Sequence, residues 1–187
     1  LQLDSTAAYA YNELGLLARR FEKYEQSVEY FNKAVQFSPK WVLPWANLCG
    51  SYKDVGQLET SEKCGLNALK LDSAITLVHY NLGHVYLAKK EPTKAIAYFQ
   101  KSTILDSTYS NAHFNLGLAY YENGNYAQAE KIWGYYHEKN PNDLMVIQNL
   151  GDIAMRLGKS SEAESQFLKL IKEDPQFAVA YLSLGQL

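Results

Sequence analysis

The sequence predicts an all-α fold of stacked helical hairpins, and two observations carry this prediction. The first is a fixed period of 34 residues that runs through the chain without insertions. The second is the spacing of apolar and small residues within each period. They recur three or four residues apart in two segments, which is the spacing of one face of a helix. We therefore expect two helices in each repeat and no strand.

The period is anchored by a small residue that usually follows leucine. Leu-Gly occurs at 14–15, 82–83, 116–117, 150–151 and 184–185, and Leu48-Cys49 occupies the remaining place. Taking the small residue as position 8 of a repeat gives five full repeats: residues 8–41, 42–75, 76–109, 110–143 and 144–177. Residues 1–7 are then the tail of a preceding repeat, and residues 178–187 begin a sixth. We interpret residues 1–187 as a single array from a longer one.

Side-chain size at fixed repeat positions predicts how the two helices pack. Small residues at positions 8 and 20 let the helices approach closely, and aromatic residues at positions 4, 11 and 24 fill the space beside that contact. Position 24 holds glycine in the second repeat, Gly65, so we expect looser packing there.

Glycine and proline mark the ends of the predicted helices. Gly56, Gly124 and Gly158, all at position 15, suit the left-handed end of a first helix. Prolines at position 32 stop second helices, whereas Pro92 fits the first residue of one. The prolines that stop second helices are Pro39, Pro141 and Pro175.

Taken together, these residues resemble the tetratricopeptide repeat (TPR) family over essentially the whole chain. The resemblance implies a right-handed α-solenoid in which the first helices of the hairpins line a concave groove. It also implies a scaffold that binds a protein or peptide segment in that groove.

Four consecutive asparagines at position 6 are candidate groove residues. They are Asn47, Asn81, Asn115 and Asn149. An amide offers both a donor and an acceptor, so it can pair with the backbone of a bound peptide without reading its side chains. The alternative is that these amides bond to a neighbouring helix.

Apolar and aromatic residues on the same face are candidate anchor points for apolar residues of a partner. They are Leu77, Tyr80 and His84 in the third repeat, and Phe114, Leu118 and Tyr121 in the fourth. The alternative is that these side chains seal each first helix against its neighbours.

No catalytic or metal-binding pattern is present, so we predict a non-enzymatic protein without metal or cofactor. His79 and His113 occupy the same repeat position, which favours packing in an aromatic slot. Metal-ligand spacings and a phosphate-binding loop are absent. Cys49 lies at the crowded small-residue position, so we expect a buried thiol, and a disulfide with Cys64 has no support.

Charge and hydropathy exclude two classes of partner. Eighteen basic residues stand against 20 acidic ones, a net charge of −2, which disfavours nucleic acid. No run approaches the roughly 18 apolar residues of a membrane span, so we predict no membrane insertion. The N-terminus shows no targeting signal, so we make no prediction of the cellular compartment.

One ligand class of the family is also disfavoured. Chaperone-tail-binding members hold a C-terminal carboxylate with lysine and arginine at set positions. The matching residues here are Asn12, Leu16, Asn47, Leu77 and Asn81. Every required cation is missing, so we predict no such carboxylate clamp.

Two other functions remain open. The chain fits the substrate-recognition arm of a larger, glycosyltransferase-like enzyme, because asparagine-lined arrays occur in that part of the family. It also fits a structural array that self-associates end to end through terminal leucines. Those leucines are Leu1, Leu3, Leu182, Leu184 and Leu187.

Overall fold

The protein is α-helical throughout the part that the structure, a computed structural model, describes. Residues 5–187 are described and contain eleven helices and no strand, which confirms the predicted all-α fold. The helices are α1 (Ser5–Arg20), α2 (Tyr24–Phe37), α3 (Val42–Asp54), α4 (Leu58–Leu71), α5 (Thr76–Ala88), α6 (Pro92–Leu105), α7 (Ser110–Glu122), α8 (Tyr126–Lys139), α9 (Leu144–Arg156), α10 (Ser160–Glu173) and α11 (Ala178–Leu184).

The chain divides into two compact units, residues 1–107 and 108–187. The N-terminal unit holds the hairpins α1–α2, α3–α4 and α5–α6, and the C-terminal unit holds α7–α8, α9–α10 and α11. Within each unit the second helix of a hairpin packs on the first helix of the next. This is the stacked-repeat fold expected from the sequence. That residues 1–187 form one array stays a prediction.

In four of the five complete hairpins, a glycine at position 8 lies against the ring at position 24. A Cβ atom on Gly83 would lie 2.6 Å from Phe99 Cε1, and one on Gly151 would lie 2.7 Å from Phe167 Cε1. Both phenylalanines are completely buried. Burying a side chain of this size stabilises the fold by roughly 1.5–3 kcal/mol. The glycine is therefore what allows the ring to fill the hairpin.

In the second hairpin the larger residue stands at position 8 and glycine at position 24. Position 8 is Cys49 and position 24 is Gly65, and a Cβ on Gly65 would lie 2.6 Å from Leu82 Cδ2 and 3.0 Å from Cys49 Sγ. Leu82 belongs to the third hairpin and is fully buried. The expectation of loose packing at Gly65 is wrong, because the next hairpin fills the space.

Both cysteines of this hairpin are buried free thiols. Burial raises the pKa of Cys49 to about 12 and that of Cys64 to about 11. Both groups therefore stay protonated at neutral pH, which makes them poor nucleophiles.

Position 15 ends every complete first helix with a left-handed residue. The prediction is confirmed for Gly56, Gly124 and Gly158, whose φ angles are +77°, +74° and +71°. Glu22 and Lys90 hold the same place in the first and third repeats, with φ of +58° and +62°. An L side chain in this region carries strain of about 1–2 kcal/mol.

The proline predictions are confirmed as well. The helices α2, α8 and α10 end two residues before Pro39, Pro141 and Pro175, and α6 begins at Pro92.

The terminal leucines differ in exposure. Leu182 is 68 % exposed and Leu187 44 %, whereas Leu184 is half-buried. Leu1 and Leu3 lie outside the described residues.

We expect Gly83→Ala to destabilise the protein. The new methyl group overlaps the Phe99 ring, and the cost of overpacking, about 1–3 kcal/mol, exceeds the gain of up to about 1 kcal/mol in helix propensity. Gly134→Ala is the matched control, because Gly134 lies inside α8 with nothing within 4 Å of a Cβ. Urea unfolding followed by circular dichroism should show a loss for Gly83→Ala and none for Gly134→Ala. Equal effects would contradict the packing role of Gly83.

We expect Lys90→Gly to stabilise the protein by about 0.5–1 kcal/mol. Glycine adopts the φ of +62° without strain, and this relief outweighs the extra freedom of glycine in the unfolded chain. Gly124→Ala should have the opposite effect at the equivalent position. Free energies of unfolding from denaturant titrations check both changes, and a stabilising Gly124→Ala would refute the explanation.

Candidate functional site

In the N-terminal unit, the first helices α1, α3 and α5 form a continuous surface, called here the first-helix wall. Neighbouring first helices meet through hydrogen bonds between residues 35 positions apart in the sequence. Asn47 Nδ2 donates to Asn12 Oδ1 at 2.9 Å, and Asn81 Nδ2 donates to the Ala46 carbonyl at 2.8 Å. Each bond joins position 6 of one repeat to position 5 of the repeat before it. Asparagine at position 6 thus fixes the alignment of consecutive first helices.

The Asn81 amide is held in one orientation. The Ala46 carbonyl can only accept a hydrogen bond, so Nδ2 must be the atom that faces it. Asn81 is 5 % exposed, and its Oδ1 atom makes no hydrogen bond within residues 5–187. Oδ1 is not among the enclosed polar atoms that lack a partner, so it reaches solvent. The wall therefore presents an acceptor whose direction is fixed from behind.

Asn115 and Asn149 are the position-6 asparagines of the C-terminal unit. Asn115 Nδ2 donates to the carbonyl of Asn111 in its own helix at 2.8 Å. Asn149 is half-buried and makes no hydrogen bond within the described chain. The carbonyl equivalent to that of Ala46 belongs to Phe114, and it accepts the Trp133 indole N–H at 2.8 Å. Tryptophan at position 24 has thus taken the acceptor that asparagine uses elsewhere.

The aromatic residues of the third repeat form a cluster on the first-helix wall. Tyr80 and His84 lie edge to face with ring centroids 4.6 Å apart, and His84 contacts Phe99 at 5.3 Å. Leu77 is half-buried on the same helix. Burial, together with the positive charges of Lys53 and Arg19, lowers the pKa of His84 to about 4.

Three candidate anchor residues of α7 are half-buried and pack against a buried cluster of the C-terminal unit. They are Phe114, Leu118 and Tyr121, and the cluster consists of Ala129, Trp133, Tyr136, Val146 and Ile153. The ring of Phe114 lies 5.9 Å from that of Trp133, and the ring of Tyr121 lies 6.0 Å from it. These contacts match the alternative stated from the sequence, in which these side chains pack a first helix against its neighbours. Part of each side chain remains exposed.

A charged cluster lies near the aromatic residues of the wall. Arg19 Nε and Lys53 Nζ each lie 2.8 Å from a different carboxylate oxygen of Asp54. A Cβ on Gly50 would lie 3.0–3.1 Å from Nη1, Cζ and Nη2 of Arg19, so the guanidinium lies flat over that glycine. In the sequence, Gly50 is a glycine inside a predicted first helix, three residues before basic Lys53.

The C-terminal unit contains a pocket of about 260 Å³ on its first helices. It is lined by Tyr121, Asp152, Met155, Arg156, Ser183 and Gln186. Arg156 Nε donates to the Tyr121 hydroxyl at 2.7 Å, and its guanidinium lies 5.2 Å from the centre of that ring. Burial raises the pKa of Asp152. Of these residues, Tyr121 was a candidate anchor point in the sequence.

The two histidines at position 4 are packing residues. His79 Nε2 lies 2.9 Å from the Ser73 carbonyl, and the His113 ring lies 5.1 Å from that of Tyr135. Among residues 5–187, no group of three or more His, Cys, Asp or Glu side chains could hold a metal ion. The helices of the same residues are all too short or too polar to cross a bilayer.

Comparison with protein-family models agrees with the repeat structure. Models described as tetratricopeptide repeat match residues 8–40, 76–109, 98–131 and 146–177.

Relatives found by sequence are large proteins. Superkiller protein 3 of Schizosaccharomyces pombe is 25 % identical over 193 residues, covering 100 % of this chain and 14 % of that protein. Protein O-mannosyl-transferase TMTC3 of Homo sapiens is 26 % identical over 180 residues, 94 % of this chain and 20 % of that protein. TPR repeat-containing protein MJ1428 of Methanocaldococcus jannaschii is 25 % identical over 187 residues, 94 % and 32 % respectively. The chain therefore spans 14–32 % of the length of these relatives.

Solved structures with the same fold include two with TM-scores near 0.8. PilF of Pseudomonas aeruginosa has a TM-score of 0.83 and 22 % identity, covering 95 % of this chain and 81 % of that one. YrrB, titled a TPR protein with an unusual peptide-binding site, has a TM-score of 0.79 and 19 % identity, covering 95 % and 91 %. At these identities the likeness shows the fold alone.

We expect His84 to stay neutral down to about pH 4. Its folded-state pKa lies below the usual 6.5, so the unfolded chain binds the proton more readily. His84 therefore makes the free energy of unfolding fall as the pH drops from about 6.5 to about 4. NMR titration of the His84 ring should show no change above pH 5. In urea unfolding, His84→Gln should weaken this pH dependence, and a His84 ring that titrates near pH 6.5 would contradict the assignment.

Proposed function

The chain belongs to the tetratricopeptide repeat family, and we propose that it binds an extended segment of a partner protein along its first helices. The family generally acts in protein–protein interaction and is generally non-enzymatic. The observation that carries the proposal is the Asn81 amide. Its nitrogen is bonded to the previous repeat, and its oxygen is not fully enclosed and makes no hydrogen bond within residues 5–187.

A fixed acceptor favours binding because its orientation is settled before the partner arrives. Ordering a free side chain on binding costs about 0.5–1.5 kcal/mol, and Asn81 avoids most of that cost. The partner group suited to Oδ1 is a backbone N–H, which every residue except proline supplies. An acceptor of this kind tolerates many sequences, so selectivity must come from neighbouring side chains.

The aromatic cluster beside Asn81 supplies an apolar contact. Tyr80 and His84 are half-buried, and the low pKa of His84 keeps its ring uncharged at neutral pH. An uncharged ring next to Tyr80 suits an apolar side chain of the partner. In the C-terminal unit, the unbonded Asn149 amide offers both a donor and an acceptor. We propose binding without a chaperone-type carboxylate clamp, because the cations that such a clamp needs are absent.

A second candidate function is a substrate-recognition arm of a larger enzyme. It is favoured by the 26 % identity over 180 residues to Protein O-mannosyl-transferase TMTC3. In this case the catalytic groups lie outside these 187 residues. Sequencing the whole reading frame that contains the chain tests this function. An adjoining glycosyltransferase domain would support a substrate-recognition arm, and further repeats alone would oppose it.

We expect Asn81→Ala and Tyr80→Ala to weaken peptide binding. Loss of one hydrogen bond worth about 0.5–1.5 kcal/mol corresponds to about a two- to tenfold loss of affinity for Asn81→Ala, and Tyr80→Ala should cost more. The probe is a peptide selected from a random 12-residue display library against the whole chain, with Kd measured by fluorescence anisotropy. Asn67→Ala on the second helix α4 is the control. Failure to select any peptide, or equal affinity in all variants, would refute the proposed function.

We expect Asn149→Ala to leave the stability of the protein nearly unchanged. Asn149 makes no hydrogen bond within residues 5–187, so its removal should leave the free energy of unfolding within about 0.5 kcal/mol of the wild-type value. Asn81→Ala, in contrast, should lose about 1 kcal/mol because it removes the hydrogen bond that joins α5 to α3. Equal destabilisation by the two substitutions would contradict the difference in bonding.

A further inference from the structure

We propose that Arg19 and Lys53 form a subsite for an acidic side chain, aspartate or glutamate, of the bound segment. The proposal rests on the proposed function and adds a specificity to it. Its basis is the cluster of Arg19, Lys53, Asp54, Gly50 and His84, which three consecutive repeats bring together on the first-helix wall.

The charges of this cluster do not cancel. Asp54 receives Arg19 Nε on one oxygen and Lys53 Nζ on the other, both at 2.8 Å. Two cations thus share one carboxylate, and His84 adds no charge at neutral pH. The cluster carries one excess positive charge. A carboxylate from a ligand balances it, whereas a ligand cation is repelled.

Donors remain free for such a carboxylate. Nη1 and Nη2 of Arg19 make no hydrogen bond within residues 5–187 and are not enclosed. The two groups are the parallel N–H fork that binds carboxylates. The Arg19 side chain is 32 % exposed and that of Lys53 28 %, so both are partly shielded from solvent yet reachable. Partial desolvation strengthens a charged pair relative to one on an open surface.

Gly50 positions the guanidinium. Because Nη1, Cζ and Nη2 of Arg19 all lie 3.0–3.1 Å from an ideal Cβ on Gly50, the plane rests on the helix at this point. Asp54 holds the Nε edge from one side. The fork is therefore placed before a ligand binds, which reduces the ordering cost. A larger residue at position 50 would lift the guanidinium off the wall without changing any charge.

The test uses short blocked peptides and the whole chain at 150 mM salt. The probe is acetyl-Gln-Glu-Gln-amide, and the readout is NMR of the Arg19 Nε–H and His84 ring signals. The wild-type chain should show saturable shifts. Arg19→Gln, Lys53→Gln and Gly50→Leu should weaken the interaction at least tenfold, with His84 as the reporter where Arg19 is changed. Arg20→Gln removes the same charge from the next residue, which has no ion pair in the described residues, and should change affinity less than twofold.

Two further peptides identify the group that binds. Acetyl-Gln-Gln-Gln-amide, which has no carboxylate, should give no saturable shift. Acetyl-Gln-Gln-Gln with a free C-terminus should bind at least tenfold more weakly than the glutamate peptide. Equal binding of either peptide would overturn the assignment to an acidic side chain. Equal loss in Arg20→Gln and Arg19→Gln would reduce the subsite to general electrostatic attraction and overturn it as well.

Misfolding of Gly50→Leu does not block the test, because Lys53→Gln leaves both Gly50 and Arg19 in place. The outcome is also distinct from that of the proposed function. Selected 12-residue peptides that depend on Asn81 but bind equally with Glu or Gln would remove the subsite alone. Tripeptide binding at Arg19 without any selectable 12-residue peptide would remove the extended binding surface alone.

Discussion

The structure depends on the contact between a residue without a side chain and a buried ring. Where glycine stands at position 8, as in Gly83, the ring at position 24, as in Phe99, lies directly against the opposite backbone. This contact sets how closely the two helices of a hairpin approach. It also leaves the outer surfaces of both helices free to pack on the next hairpin. The stacking of consecutive hairpins follows from this distance.

Because consecutive first helices are aligned, they form a surface that extends over several repeats. A separation of 35 residues, one more than the period, places position 6 against position 5 of the preceding repeat, and position 13 against position 12. Asn81 on Ala46 is an example of the first contact, and Asp54 on Arg19 of the second. Hydrogen bonds and charges are thereby shared between repeats instead of being confined to one. The groups that keep free hydrogen-bonding capacity, such as Asn81 Oδ1 and the Arg19 guanidinium, are held from behind by these contacts.

Much of the fold could be predicted from the sequence, whereas individual side-chain partners could not. Period and spacing specify which residues share a helix face, and glycine and proline mark the ends of helices such as α3 and α6. Spacing does not reveal that Leu82 enters the space left by Gly65, because that contact joins different repeats. Nor does it reveal that the Trp133 indole bonds to the Phe114 carbonyl, since this depends on the direction of a single N–H. The candidate asparagines were identified by position, but the partners of the Asn47 and Asn81 amide nitrogens required coordinates.

In the second hairpin glycine stands at position 24 instead of position 8. This affects whether the chain can gain or lose whole repeats. Gly65 needs a leucine from whichever hairpin follows it, supplied here by Leu82 at position 7. Every repeat of this chain carries leucine at position 7, from Leu14 to Leu184. Copying or deleting a 34-residue segment after the second hairpin therefore still delivers the methyl groups that Gly65 requires. A gene of this kind can change length by whole periods without a compensating mutation at that junction.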